Sequence, residues 1–137
     1  MSTPCIIAVK DGDKYTSIYC HWDGYRAYMW PMLTKHYGSF EKAKELISYG
    51  DASSISVNIE PLSPESHDFY TPENHVCVFY NRDRHDEWIG CAPQSWPTKE
   101  ALLGLPHAEQ HVYIYEDGGW SYYYEGELAD RELMEVH

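Results

Sequence analysis

A chain of 137 residues with 43% apolar residues has material for one core and little for a second, so a single domain over residues 1–137 is expected. Its formal charge of −12 argues against nucleic acid as a direct ligand, because binding phosphate needs cations that displace condensed counterions. No apolar stretch approaches the roughly 18–20 residues of a membrane helix, and Met1-Ser2-Thr3-Pro4 runs straight into the short apolar group Cys5 to Val9, which is no secretory leader; a cytoplasmic protein without a membrane partner is expected.

Cys5 to Val9 and Tyr15 to Trp22 are β-rich runs on either side of Lys10-Asp11-Gly12-Asp13-Lys14, whose Asp-Gly predicts a hairpin. Tyr25, Tyr28, Met29, Met32, Leu33 and His36 recur at helical spacing on one face. Pro31 removes the hydrogen bond to the Ala27 carbonyl, which predicts a kink or a restart. Ser39 then caps a second helix with the apolar stripe Phe40, Ala43, Leu46 and Ile47, and Gly50 stands where a left-handed residue ends it.

From Ala52 to His75 the pattern weakens around Pro61, Pro64 and Pro72, leaving a loop with one short strand at Ser56 to Ile59. Val76 to Tyr80 reads as a strand, Asn81 to Glu87 as a charged turn, and Ala92 to Pro97 as a break. Thr98 caps a short helical piece through Leu105. His111 to Glu116 and Trp120 to Glu125 flank Asp117-Gly118-Gly119, a second hairpin; Glu127 to Val136 reads as a closing helix. The sum is an α+β fold, a mainly antiparallel sheet with two or three helices packed on it.

The densest chemistry lies in Tyr19-Cys20-His21-Trp22-Asp23-Gly24-Tyr25. Cys20 and His21 suggest a nucleophile and its base, but successive strand residues point to opposite faces and cannot form a dyad. His21 and Asp23 share a face, so an acid/base enzyme, such as a small hydrolase, would use His21 and Asp23, with Cys20 beside them. Against that, Asp23 stands where a strand passes into a helix, and there its carboxylate is expected to cap backbone amides. Four cysteines and eight histidines contain no Cys-x-x-Cys and no His-x-x-x-His pair, so no metal is expected. Gly118-Gly119 belongs to a turn and not to a phosphate cradle, and no cofactor is expected. Without a secretory leader, Cys5, Cys20, Cys77 and Cys91 read as buried free thiols.

Charge and aromatic content are unevenly spread. Residues 1–50 carry five acids against six bases, whereas residues 51–137 carry seventeen against four. Tyr113, Tyr115, Trp120, Tyr122, Tyr123 and Tyr124 occupy both faces of the second hairpin, so either some are exposed or layers cover the sheet on both sides. Exposed, they form with Glu109, Glu116, Asp117, Glu125, Glu127, Asp130 and Glu132 a set of rigid rings rimmed by carboxylates, the composition of an interaction surface. A basic protein surface is its complement; the other partner considered is a second copy of the chain, pairing through these strands as a homodimer without catalysis.

Several motifs occur in a fixed order: Ile18-Tyr19-Cys20-His21-Trp22-Asp23-Gly24-Tyr25, Leu33 with His36-Tyr37, Leu46 to Gly50-Asp51 with Ser53-Ser54, His67-Asp68-Phe69, and Tyr80-x-Arg82-Asp83-Arg84. Together with the Met-Ser-Thr start and the aromatic hairpin Tyr113 to Tyr124, this set resembles a family of small phage and prophage proteins. Arg26 stands where that family usually has proline, Pro31 interrupts its first helix, and His85-Asp86 replaces Gly-Glu. The resemblance supplies no catalytic residue. It implies a mobile-element context in the cytoplasm of a host cell, where small acidic proteins serve as inhibitors of CRISPR and restriction complexes, some as DNA mimics. The expected function is therefore an acidic protein-interaction module directed at a host defence or nucleic-acid-processing complex.

Overall fold

The computed structural model describes residues 2–105 and 110–132. Strands β1 (Cys5–Asp11) and β2 (Lys14–Cys20) pair antiparallel from Cys5 opposite Cys20 to Asp11 opposite Lys14. Gly12, at φ +64°, supplies the left-handed residue that lets a two-residue turn follow the strand twist.

Helix α1 (Arg26–His36) contains Pro31 and is not broken by it. The carbonyl that Pro31 deprives of its partner belongs to Ala27, which is exposed, so water can satisfy it; the expected restart does not occur. Met29 and Leu33 are its buried residues, while Tyr25 and His36, assigned by spacing to the same face, are exposed. Helix α2 (Phe40–Ile47) begins as expected, with Ser39 Oγ accepting from the Lys42 amide at 3.2 Å, and it buries Ala43, Leu46 and Ile47.

The central loop departs from expectation. Strand β3 (Ala52–Ser54) runs parallel to β2 from Cys20 opposite Ala52, and β4 (Val78–Phe79) lies antiparallel to β3. Ser56 to Ile59 forms only an isolated bridge, Asn58 to Val76. Helix α3 (Tyr80–Arg84) replaces the charged turn and is followed by α4 (Trp88–Cys91). The Ala92 to Pro97 break contains β5 (Gln94–Trp96), antiparallel to residues Tyr15 to Ser17 of β2. After α5 (Lys99–Leu103), capped by Thr98, come β6 (His111–Glu116), β7 (Gly119–Tyr124) and β8 (Glu127–Arg131).

The sheet order is β4-β3-β2-β1-β6-β7-β8, with β5 sharing the outer edge of β2. Among the described strands only β1 with β6 and β2 with β3 pair parallel, so the fold is α+β with a mainly antiparallel sheet. The segment expected as a closing helix turns back instead: Glu125 and Gly126 adopt φ of 51° and 83°, which reverses the chain and pairs Glu127 with Tyr124. The apolar residues Leu133, Met134 and Val136 invoked for that helix lie outside the described residues.

Strand alternation divides the core in two. Ile7, Val9, Ile18, Tyr113 and Trp120 face the α1 and α2 layer, among Leu33, Tyr37 and Leu46. Ile6, Ala8, Val112, Ile114 and Tyr123 face the other way, against Leu102 of α5 with Trp96 and Leu105. All four cysteines are buried and free.

Gly50 is where the helical layer meets the loop that follows. Its φ is +85°, and a Cβ there would collide with the Cys91 carbonyl oxygen, to which the neighbouring Asp51 amide donates at 2.7 Å. Gly50→Ala is expected to destabilise the protein by about 2–3 kcal/mol, read as a lower urea midpoint with an unchanged m-value.

Candidate functional site

The end of β2 holds the residues first suspected of catalysis. Cys20 is fully buried, its thiol directed at the carbonyls of Trp22 (3.5 Å) and Ser53 (3.9 Å). His21 lies on the opposite side of the strand, its Nδ1 2.7 Å from the Tyr19 hydroxyl and its ring edge-on to Trp22. The amides of His21 and Trp22 continue the pairing to β3 through the carbonyls of Ala52 and Ser53.

Asp23 adopts φ 59°, and α1 opens at Tyr25 without a side-chain cap, so the capping role expected of Asp23 is corrected. The left-handed Asp23 bends the chain, which brings the Gly24 amide onto the Thr3 carbonyl at 2.7 Å. A Cβ on Gly24 would stand 2.6 Å from Cys5 Cβ, which explains glycine at that point of the motif. Burial pushes the thiols of Cys5, Cys77 and Cys91 up, away from the reactive thiolate.

A richer assembly lies between the 60–75 loop and α3. The Asp83 carboxylate, almost wholly buried, reaches back to the Phe79 amide at 2.8 Å, which satisfies a donor that the start of α3 leaves open. Arg82 forks onto it, Nε to Oδ1 at 2.9 Å and Nη2 to Oδ2 at 3.1 Å. The same guanidinium donates to the carbonyls of Ile59 (2.7 Å) and Cys77 (2.9 Å). His67 closes the network: its Nδ1 accepts the Glu73 amide at 2.9 Å and its Nε2 lies 3.3 Å from Asp83 Oδ1. Nδ1 is therefore unprotonated, and the neutral ring donates from Nε2 to the carboxylate.

A second clamp lies beside it. Arg84 sits 4.8 Å from the Phe69 ring centre and 4.5 Å from that of Tyr80, while its guanidinium forks onto Asp86 at 2.9 and 2.7 Å. Asp68 accepts from the Tyr70 and Thr71 amides and the Thr71 hydroxyl, and these bonds hold its carboxyl below the usual range. A cavity of about 360 Å³ opens against this assembly, lined by residues that include Glu60, Glu65, Arg82, Asp83 and His85.

Another cavity, about 270 Å³, is lined by Ile6, Ser17, Ile18, Tyr19, Asp51, Gln94 and Leu105. Its one serine accepts from Trp96 Nε1 at 2.9 Å, and Asp51 Oδ1 accepts from the Tyr19 amide at 2.9 Å. Neither cavity has Cys20, His21 or Asp23 in its wall. Among the described residues no three His, Cys, Asp or Glu side chains converge to hold a metal ion, and no helix is long and apolar enough to cross a membrane.

The aromatic hairpin is interior. Tyr113 and Trp120 are fully buried and Tyr115, Tyr122 and Tyr123 nearly so; of the rings named from the sequence, Tyr124 alone is exposed, at 40%. Layers on both faces cover the others, which decides between the two alternatives the sequence left open. The carboxylates do not form one stripe either. Glu116 is buried and bonded to Lys99 (2.8 Å) and the Tyr123 hydroxyl (2.8 Å), with Arg131 at 4.0 Å. Glu132 accepts the Trp120 amide at 2.9 Å, and Asp130 pairs with Arg26.

Asp117, in the β6–β7 turn, stands 3.9 Å from Lys10, whereas Glu125 and Glu127 are exposed around the next turn. The length of β7 sets those two turns about 20 Å apart. Glu109 lies outside the described residues. Sequence reasoning placed the functional surface on the hairpin and missed His67, Arg82 and Asp83 as a unit. The two motif islands His67-Asp68-Phe69 and Tyr80 to Arg84 were visible signals, but nothing in their spacing says that they meet.

Two outcomes follow from these networks. Arg82→Ala leaves the Asp83 carboxylate buried without its cation and is expected to destabilise the protein by about 3–5 kcal/mol, while opening Glu60, Glu65 and Glu73 to a glutamate-specific protease. For Glu116, burial raises the carboxyl, but the Lys99 ammonium and the hydroxyls of Tyr123 and Ser121 outweigh it and hold it below its ordinary 4.5. Its stabilisation is thus present at neutral pH and fades as pH falls below that value. Glu116→Gln is expected to flatten the loss of melting temperature between pH 5 and pH 3 relative to the wild type, while lowering stability at pH 7. The chain matches no protein-family model, and it shows no significant similarity to a curated protein or to a solved structure.

Proposed function

We propose that the chain is a non-catalytic, acidic protein-interaction module of a phage or related mobile element, which binds a basic surface on a host defence or nucleic-acid-processing complex of the kind targeted by anti-CRISPR and anti-restriction proteins. The observation that carries this reading is the arrangement of charge. Eight of the ten basic side chains lie in ion pairs with the protein's own carboxylates. Glu41, Glu60, Glu65, Glu87, Glu100, Glu125 and Glu127 stay exposed and are in none of these pairs. The field at the surface is therefore negative on several sides, which repels nucleic acid and accelerates encounter with a basic protein.

The split of the C-terminal acids between two turns favours attraction by this broad field over imitation of a phosphate groove. The hydrolase reading has less support, since Cys20 and His21 face apart and His21 is engaged by Tyr19. A homodimer formed through the aromatic strands meets an obstacle, because β6 and β7 are each paired on both sides within the sheet.

The purified chain, titrated against a panel of host CRISPR surveillance complexes and restriction enzymes, is expected to form a complex with one of them and block its DNA binding or cleavage. The association rate should fall about tenfold or more as ionic strength rises from 50 to 300 mM. Absence of binding and inhibition across the panel, or an association rate indifferent to salt, overturns the proposal.

A further inference from the structure

Long irregular loops in a compact protein are uncommon, and those that persist are functional or unstructured. The 60–75 segment is irregular but fixed: His67 is tied to Asp83, the Phe69 amide donates to the Asp83 carbonyl at 3.0 Å, and the Phe69 ring lies against Arg84. Holding it this way is expensive in solvation, because Asp83 and much of Arg82 leave water, and apolar packing would stabilise a loop at least as well. The fixed loop nevertheless leaves two of its large apolar side chains in solvent, Leu62 at 92% and Tyr70 at 81% exposure. The same segment carries Glu60, Glu65 and Asp68, all exposed, with Glu60 accepting from the Tyr49 hydroxyl at 2.6 Å, and the sequence holds no lysine or arginine from Glu45 to Asn81.

We infer that the outer face of the 60–73 segment is the docking surface of this module, and that it takes a basic protein segment with apolar side chains interspersed among its lysines and arginines. Leu62 and Tyr70 are the anchors and the carboxylates are the rim, an arrangement in which a few apolar contacts set affinity and the charges set partner choice. Charge complementarity fixes the sign of the partner, since the nearby cations Arg82 and Arg84 are held by Asp83 and Asp86 and Glu60, Glu65 and Asp68 are in none of the ion pairs among the described residues. Fixing the loop in advance removes the ordering cost that a mobile segment meets on binding. The inference rests on the acidic-module reading and adds to it a location and a recognition chemistry.

The 15N-labelled protein is titrated at low ionic strength with two probes, an octapeptide of alternating arginine and leucine and octa-arginine. The alternating peptide is expected to shift amides of residues 60–73 and neighbours in α3. Leu62→Ser/Tyr70→Ser should weaken it about tenfold and change octa-arginine binding less than about twofold; Glu60→Gln/Glu65→Gln should weaken both. The substituted positions are solvent-exposed, and unchanged amide shifts outside the loop verify the fold. Binding that perturbs another face, or that ignores Leu62→Ser/Tyr70→Ser, overturns the location and leaves the acidic module standing. Failure of both peptides to bind overturns the module itself.

Discussion

The structure depends on the way buried and half-buried aromatic rings of the sheet, of α1 and of its C-terminal cap place their single polar hydrogen on a backbone carbonyl across a layer boundary. Trp120 Nε1 donates to the Tyr37 carbonyl at 2.9 Å, Tyr113 to Gly24 at 2.7 Å, Tyr37 to Ser56 at 2.6 Å and Tyr28 to Ile55 at 2.6 Å. A large ring brings apolar area into the core, and its polar atom demands a partner once water is gone. Each ring here meets that demand at a carbonyl that its neighbouring segment cannot use for regular pairing. The hairpin, α1 and the loop beyond β3 are thereby bonded to one another and not merely packed. An unusual tyrosine content thus serves the interior, and the hairpin that carries much of it is not available as a surface.

Charge is organised by the opposite rule. Most cations are consumed in local pairs, and two of the pairings have a buried carboxylate that fastens an element: Lys99 on Glu116 ties α5 to β6, and the Arg82–Asp83 pair of α3 holds His67 of the 60–75 loop and the Ile59 carbonyl just before it. Pairs of this kind are weak sources of net stability because desolvation offsets attraction, but each fixes one geometry, since a displaced partner would leave a charge in the core. Glu41, Glu65, Glu87, Glu100, Glu125 and Glu127 lie outside these pairs and face solvent. One set of acids therefore holds the fold and a separate set is free to interact with other molecules, and only burial distinguishes them.

Much of the architecture was legible in the sequence where a local rule had no competitor. Both hairpins followed from their turn residues, α2 from Ser39, its stripe and Gly50, and α5 from Thr98. Pro31 misled because the carbonyl it strands sits on an exposed turn. β3 and β5 escaped notice because three residues bonded to β2 leave no periodic trace, and β8 because Leu128, among charged residues, resembles a weak helix until Glu125 and Gly126 reverse the chain. The His67, Arg82 and Asp83 network escaped for a related reason: its members are ordinary polar residues in two separate runs, and only the fold of α3 under the loop brings them together.

By itself the sequence determined the fold class, the hairpins, the helix caps and the negative sign of any electrostatic field, because these depend on residue type, short-range spacing and total charge. Tertiary structure decided which rings and which carboxylates are available. Strand alternation assigns a side chain to a face, but whether that face meets water depends on segments tens of residues away. It was the covering of both faces of the β6–β7 hairpin that hid its tyrosines and Glu116, and the anchoring of the 60–75 loop on α3 that left Leu62, Tyr70 and their neighbouring acids in solvent.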